Sequence, residues 1–261
     1  MSETQQTNYI YGKNPIYELL TKNPKRINKI YFQKGYSFDN RLKKIFDLAK
    51  ENKIIVQHVS LQKFFEFFED KPNFQGVVAS VSPVEYIELE DFLKIKKEGF
   101  KRIVVLDGVL DPHNFGAIIR SAVAVGLDGI LIPTHRSVPI TSTVEKTSCG
   151  AINHIPIIKT TSLSNSIDIL KKHDFWVIAT QMEAAQNYYE IDYTDMNFAL
   201  VMGSEGKGIS KTILNKADFT VKLQSNFESL NVSNAAAVIL YEARRQVEVK
   251  NKKCKKISEK S

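Results

Sequence analysis

The first third of the chain alternates short apolar runs with segments in which apolar residues recur every three or four positions. This pattern predicts strands at the apolar runs and amphipathic helices between them. The predicted strands are Ile27 to Gln33, Lys53 to Val59 and Gly76 to Val81, and the predicted helices are Tyr9 to Asn23, Asp39 to Asn52 and Ser60 to Phe68. The alternation is long enough for an α/β domain with its own core, and Ser82-Pro83 marks its end.

The rest of the chain carries apolar runs that are continuous, which is typical of parallel strands covered by helices on both faces. Strands are predicted at Lys101 to Asp107, Gly129 to Pro133, Ile155 to Lys159, Phe175 to Thr180, Ala199 to Met202 and Asp218 to Leu223. Helices are predicted after Asn114, around Ser142 to Ser148, at Leu163 to His173 and after Asn231, with Asn114 and Ser229 to Asn231 as N-terminal caps. Such a sheet binds ligands at the carboxyl ends of its strands.

We therefore predict an α/β protein with two domains. Residues 1–82 form a small α/β domain, and residues 100–246 form a parallel-sheet domain. The charged segment 83–99 has the apolar spacing of one helix and is predicted as a linker. Residues 247–261 are predicted as a basic, flexible tail.

A glycine-rich loop follows the strand that ends at Met202, in the sequence MGSEGKG. Gly203, Gly206 and Gly208 flank a single carboxylate, Glu205, and glycines let backbone N–H groups approach a small ligand closely. The order of residues matches neither the phosphate-binding pattern GxxxxGK[ST] nor the dinucleotide pattern GxGxxG. A tight turn without a ligand is the alternative reading of the loop alone.

Two further polar segments stand where a strand gives way to a helix. The first is NFGAIIR, Asn114 to Arg120, and the second is SLNVSNAAA, Ser229 to Ala237. Arg120 lies early in an apolar helix, near its positive end, where an arginine is costly unless it meets an anion. Histidine is a residue type that can act as a base, but the place of His113 in a turn before a cap makes it a less favoured candidate, and the group that removes the proton is left open.

Charge and composition narrow the classes of function. The net charge of +7 is concentrated in residues 1–82, with 13 Lys/Arg against 8 Asp/Glu, and in residues 244–261, with 8 against 2. This division suggests that the first domain captures a polyanion while the second performs chemistry. The sequence lacks a membrane-length apolar run and a secretory leader, which predicts a cytoplasmic protein, and its two cysteines support neither a disulfide framework nor a metal site.

The three segments NFGAIIR, MGSEGKG and SLNVSNAAA, in this order and spacing, resemble the motifs of the SpoU, or TrmH-type, RNA 2′-O-ribose methyltransferases. The resemblance covers about residues 101–246. The sequences DPHN, YIYGKNPIYELL and FQGVVA are similar to the RlmB branch, whose members methylate a guanosine ribose in 23S ribosomal RNA.

The resemblance implies a SPOUT fold with a C-terminal trefoil knot, preceded by a domain like ribosomal protein L30e, and a homodimer with RNA as substrate. It implies that Gly203, Val221 and Leu230 bind the cofactor S-adenosylmethionine. It also implies a catalytic group that consists of Arg120, Asn114, Glu205, Ser229 and Asn231. Since a guanidinium is almost never neutral, we expect Arg120 to hold the target phosphate and support the developing oxyanion.

Three alternatives remain at this stage. The same chemistry on transfer RNA is compatible with the motifs. A non-catalytic RNA-binding or ribosome-assembly protein would keep the fold without the chemistry, but Arg120, Glu205 and Asn231 are all present. A flavin or nicotinamide enzyme is disfavoured because its glycine pattern and ribose-binding acid are missing.

Overall fold

The computed structural model describes residues 8–68, 71–226 and 229–258, with side chains up to Lys252. The elements before residue 86 are β1 (Asn8–Tyr11), α1 (Lys13–Lys22), β2 (Ile27–Gln33), α2 (Asn40–Glu51), β3 (Ile55–Val59), α3 (Leu61–Phe65) and β4 (Val77–Val81). They form a four-stranded sheet in the order β1-β4-β2-β3, in which only β2 and β3 run parallel. One face of this sheet packs on apolar residues of α1 and α2, and the other carries a mainly aromatic cluster around Phe64 and Phe74.

The start of the chain differs from the prediction, because Asn8–Tyr11 is a strand and not the first turn of a helix. Its residues pair antiparallel with β4, and Gly12 then adopts a φ of 94°, which interrupts the strand before α1 begins. The third helix is also shorter than predicted and ends at Phe65, before Phe68.

The following elements are α4 (Leu89–Lys94), β5 (Arg102–Asp107), α5 (Pro112–Val125), β6 (Gly129–Pro133), α6 (Ser142–Thr147), β7 (Ile157–Thr160), α7 (Leu163–Lys172), β8 (Phe175–Thr180), β9 (Gln186–Asn187), β10 (Asn197–Gly203), α8 (Lys211–Leu214), β11 (Phe219–Lys222) and α9 (Val232–Ser258). Their seven strands form a sheet in the order β7-β6-β5-β10-β8-β11-β9, and every neighbouring pair is parallel. The predicted parallel sheet is confirmed, whereas the two-residue strand β9 was not predicted because it is too short to show a period.

The large sheet has helices on both sides. Apolar residues of α4, α7 and α8 pack on the face that carries Ile103, Val105 and Val201. Helices α5 and α9 pack on each other, and α9 also contacts β10. The carboxyl ends of β5, β6, β8, β10 and β11 therefore all point to one edge of the sheet.

The chain divides into two compact units whose limits differ from the predicted boundaries. The first consists of the described residues up to Glu85 together with Pro139–His154, and the second consists of Tyr86–Val138 and the described residues from Ile155 onward. The segment Pro139–His154 was expected in the parallel-sheet domain. It joins the first unit because its Val144 and Ile152 are buried there and its Glu145 meets Arg26 at 2.9 Å.

Two further segments depart from the predictions. In the predicted linker, Ile87 pairs with Ile158, and Leu89 and Phe92 enter the core of the large sheet. The predicted flexible tail continues α9 up to Ser258. Within the described ranges, none of the helices has the length and hydropathy that a membrane span requires.

Candidate active site

The start of α5 sets the first part of the site. Asp111, and not the predicted Asn114, is the N-terminal cap, because its carboxylate accepts hydrogen bonds from the backbone N–H groups of His113 (3.0 Å) and Asn114 (3.3 Å). Pro112 occupies the first helical position, where a backbone N–H would have no partner within the helix, so the missing N–H of proline costs nothing. The amide side chain of Asn114 is thus not used for capping and reaches another partner.

That partner is Glu205, in the glycine-rich loop. The Nδ2 of Asn114 donates to Oε1 of Glu205 at 3.1 Å, and the Nδ2 of Asn231 donates to the same oxygen at 2.8 Å and to Oδ1 of Asn114 at 2.9 Å. The Oδ1 of Asn231 accepts from the backbone N–H (3.0 Å) and the hydroxyl (2.6 Å) of Ser233, so its amide orientation is fixed. One residue from each of the three sequence motifs therefore meets in a single hydrogen-bonded network.

The remaining predicted catalytic residues lie on the same segments as this network. Arg120 is exposed on α5, and Ser229 is exposed two residues before Asn231. His113 is exposed at the second position of α5. The structure brings together Asn114, Glu205 and Asn231, and it places Arg120 on the helix that Asn114 begins.

The glycine-rich loop closes on itself. Ser204 and Gly208 exchange backbone hydrogen bonds of 3.2 and 2.9 Å. A Cβ atom on Gly203 would lie 2.3 Å from the carbonyl carbon of Gly208, a distance that real side chains do not show. Gly203 is thus required for closure of the loop, whereas the sequence suggested that it makes room for a ligand.

The three residues assigned to the cofactor lie near the ends of β10 and β11 and in the loop before α9. Gly203 ends β10 and Val221 lies near the end of β11, and β8 runs between these two strands. The backbone N–H of Gln181, just beyond β8, donates to the carbonyl of Val221 at 2.9 Å. The side chain of Val221 is buried, so it offers a ligand only backbone groups, whereas Leu230 is 46% exposed.

Sequence reasoning missed a buried carboxylate at the same edge. Asp107, the last residue of β5, is 5% exposed, and its Oδ2 accepts the backbone N–H of Ser210 at 2.8 Å. Its place directly before Gly108, at the end of a buried strand, was the available signal. The described side chains contain no group of three or more His, Cys, Asp or Glu residues that could hold a metal ion.

Comparison with known proteins identifies the family to which this chain belongs. Residues 101–241 match the SpoU rRNA Methylase family, and residues 9–87 match the domain described as RNA 2′-O ribose methyltransferase substrate binding. A putative TrmH family tRNA/rRNA methyltransferase from Staphylococcus aureus is 42% identical over 242 residues, which cover 91% of this chain and 95% of the relative. The chain belongs to the SpoU family of RNA methyltransferases.

Solved structures agree with this SpoU fold. The SpoU methyltransferase AviRb from Streptomyces viridochromogenes has a TM-score of 0.77 at 22% identity and covers 93% of this chain and 90% of its own. An AdoMet-bound rRNA methyltransferase from Sinorhizobium meliloti has a TM-score of 0.75 at 23% identity and covers 93% and 88%. At these identities the likeness concerns the fold.

If the network of Asn114, Glu205 and Asn231 supports catalysis in this SpoU protein, breaking one of its hydrogen bonds should lower activity. The substitution Asn231→Asp keeps the size of the side chain but replaces the donor to Glu205 with a second carboxylate. Since hydrogen bonds to charged groups contribute about 1.5–3 kcal/mol, we expect kcat to fall about tenfold or more in a methyl-transfer assay.

Activity of Asn231→Asp should recover partly as the pH falls, because a shared proton restores one hydrogen bond between the carboxylates. Asn165→Asp, on the exposed first turn of α7, is the matched control. Full activity of Asn231→Asp at neutral pH would show that the network does not support catalysis.

Proposed function

We propose that this SpoU-family protein uses S-adenosylmethionine to methylate the 2′-hydroxyl of a guanosine ribose in 23S ribosomal RNA. The observation that carries the proposal is the network of Asn114, Glu205 and Asn231 at the carboxyl edge of a parallel sheet. The choice of ribosomal RNA rests on the resemblance of DPHN, YIYGKNPIYELL and FQGVVA to the RlmB branch. Such a target places the enzyme in the cytoplasm.

The residues around the strand ends fit the cofactor. The ends of β10, β8 and β11 offer backbone donors and acceptors, and two exposed apolar side chains, Met182 (71% exposed) and Leu230 (46%), are available to cover an adenine ring. When bound, S-adenosylmethionine supplies an electrophilic methyl group on a sulfonium. The AdoMet-bound state of the Sinorhizobium meliloti protein is in line with this assignment.

The chain itself contributes positioning and charge. Arg120 holds the phosphate of the target nucleotide and stabilises the oxygen as it becomes negative. Because a guanidinium keeps its protons, we do not assign Arg120 as the base that removes the hydroxyl proton. Glu205, fixed by two amide donors, and Ser229 orient the groups around the ribose.

We also propose a homodimer, in keeping with the family resemblance. Val238 and Tyr241 on α9 are 39% and 53% exposed and would contribute apolar area to the contact between subunits. Sedimentation of the purified protein tests this assignment.

Transfer RNA is the second candidate substrate, because the Staphylococcus aureus relative is described as a tRNA/rRNA methyltransferase. Ribose-methylation mapping of total RNA from a deletion strain and its parent distinguishes the two. We expect one guanosine mark to be missing from 23S ribosomal RNA. A missing mark in transfer RNA would replace the proposed substrate, and an unchanged map would contradict the proposed function.

The glycine-rich loop provides a test of the cofactor site. We expect Gly203→Ala to weaken binding of S-adenosylmethionine about tenfold or more, a change of about 1.4 kcal/mol, because the new Cβ collides with Gly208 and shifts the loop. Gly206→Ala is the comparison within the same loop: its Cβ would meet no atom within 4 Å, so we expect a smaller loss that reflects only the strain of its φ of 83°. Calorimetric affinities that are equal for wild type and Gly203→Ala would refute the loop assignment.

A further inference from the structure

A second arginine lies at the carboxyl edge of the large sheet, on the loop 134–138 that follows β6. A Cβ atom placed on Gly108 would lie 3.6 Å from Nη2 of Arg136 and 3.5 Å from Cβ of Ser204. The guanidinium of Arg136 and the first residue of the loop Ser204–Gly208 thus border the same small space beyond β5. This space belongs to the edge that carries Glu205.

The backbone of the loop holds Arg136 in an unusual conformation. Its φ is 62°, in the left-handed region that residues with a Cβ rarely adopt. Hydrogen bonds fix the loop on both sides, from Thr134 N–H to the carbonyl of Thr160 (2.7 Å) and from the Ser137 hydroxyl to the carbonyl of Pro133 (2.5 Å). Four other described non-glycine residues share this conformation, so it indicates a fixed turn and does not by itself mark a functional site.

The carboxylate of Asp107 lies near the guanidinium of Arg136. Its Oδ2 is occupied by the N–H of Ser210, and its Oδ1 lies 3.9 Å from Nη2 of Arg136. This distance is too long for a hydrogen bond, and the Arg136 side chain is 70% exposed. An ion pair with these properties contributes little to stability, but it directs a group with five donors toward the edge of the site.

We propose that Arg136 binds a backbone phosphate of the RNA strand next to the target nucleotide, and that Asp107 is its positioning residue. The inference rests on the proposed methylation of RNA. A guanidinium is suited to a phosphate because two parallel N–H groups match two of its oxygens. Arg120 and Arg136 would then hold two different phosphates of the strand.

The order of the strands favours RNA over the carboxylate of the cofactor. Arg136 follows β6, and the residues assigned to the cofactor lie near the ends of β10 and β11 and in the loop before α9. Only β5 lies between β6 and β10, which puts them about 10 Å apart at the usual spacing of strands, whereas β5, β10 and β8 lie between β6 and β11, which puts those about 19 Å apart. Arg136 and Val221 therefore lie on opposite sides of β10, the strand that leads into the loop with Glu205.

The experiment compares Arg136→Ala with Lys172→Ala, which removes one exposed positive charge at the opposite edge of the same sheet, just before β8. We expect Arg136→Ala to lower RNA affinity about tenfold and to reduce the slope of log Kd against log salt by about 0.7, the loss of one phosphate contact. Its affinity for S-adenosylmethionine and its melting temperature should equal those of wild type. Arg136→Lys should restore the salt slope but only part of the affinity.

Asp107→Asn tests the positioning role. This substitution makes the site more positive, so simple attraction would strengthen RNA binding, whereas loss of orientation weakens it. We expect weaker binding, and no further loss when Arg136→Ala is combined with it.

Equal RNA affinity and salt slope in Arg136→Ala and Lys172→Ala overturn the inference. A selective loss of S-adenosylmethionine affinity overturns it as well, because it assigns Arg136 to the cofactor. If the wild-type protein transfers no methyl group to RNA, both the proposed function and this inference are contradicted. If the wild-type protein is active and Arg136→Ala binds RNA as tightly as wild type, only this inference is contradicted.

Discussion

Replacing Arg120 by alanine should lower the rate of methyl transfer about 10²- to 10³-fold, the usual cost of losing one hydrogen-bond donor to a developing oxyanion. Arg120 is exposed on α5, the helix whose first turn supplies Asn114 to the network with Glu205 and Asn231. Its proposed partner is the RNA, so calorimetry should show an unchanged affinity for S-adenosylmethionine. Single-turnover rates at saturating RNA measure the effect on chemistry separately from binding.

Two further variants make the Arg120 experiment specific. Arg120→Lys keeps the charge without the planar fork, and we expect it to recover only part of the rate. Lys172→Ala, which removes an exposed charge at the other edge of the sheet, should behave as wild type. Near-normal turnover of Arg120→Ala would shift attention to Glu205 or to His113.

The sequence predicted the second unit well because its strands are long, continuous apolar runs in a sheet that helices cover on both faces. The six predicted strands of this sheet recur in the structure with shifts of at most a few residues at their ends. The first strand of the chain was missed because the apolar residues Tyr9, Ile10 and Tyr11 are also compatible with the first turn of a helix. The positive φ of Gly12, which separates β1 from α1, is not visible in the sequence pattern.

Three of the predicted site residues, Asn114, Glu205 and Asn231, lie together in the structure, but their local geometry was not predicted, and the catalytic roles of the site residues stay predictions. Asn114 and Asp111 are both residue types that cap helices, and the prediction of Asn114 as the cap was wrong. Asp111-Pro112 fits the cap and first helical position better, which leaves the side chain of Asn114 for Glu205. Contacts between residues about 90 to 120 positions apart, such as those that join Asn114 to Glu205 and Asn231, follow from strand order, which no local pattern contains.

The division of the chain affects how the two units can be studied apart. A shortened protein that begins near Glu98 would lack Leu89 and Phe92 of the large sheet's core. It would also retain Pro139–His154 without the residues of the first unit that bury Val144 and Ile152. Truncation is therefore a poor test of where RNA binds, and substitutions within the whole chain are preferable.

The largest effect on stability should come from Arg26→Met, in the first unit. Arg26 is 7% exposed and donates to Glu145 Oε1 (2.9 Å), to Asn153 Oδ1 (2.9 Å) and to the carbonyl of Ser82 (3.0 and 3.1 Å). Glu145 is 4% exposed, and its Oε2 has no hydrogen-bond partner among the described residues. Removing the cation leaves a buried carboxylate, a change that typically costs about 3–5 kcal/mol.

The pH dependence of this loss follows from Glu145. Burial raises the pKa of its carboxyl above the usual value, and Arg26 opposes the rise. In Arg26→Met the positive charge that lowers the pKa of Glu145 is absent. The Glu145 carboxyl therefore binds its proton more tightly in the folded state than in the unfolded state. Stability of the variant is then greatest below the unfolded pKa of about 4.3 and declines as the pH rises through the folded pKa, so the deficit relative to wild type grows with pH.

The single tryptophan of the chain allows the two units to be followed separately. Trp176 lies on β8 in the second unit, so its fluorescence reports that unit, while hydrogen exchange at β2 and β4 reports the first. We expect Arg26→Met to lower protection in β2 and β4 with little change in the Trp176 transition. The double variant Arg26→Met/Glu145→Met should recover most of the loss, because replacing a buried ion pair with apolar side chains of similar size is often neutral. If the double variant is as unstable as Arg26→Met at every pH, the cost comes from lost packing around Arg26 and not from the unpaired Glu145 carboxylate.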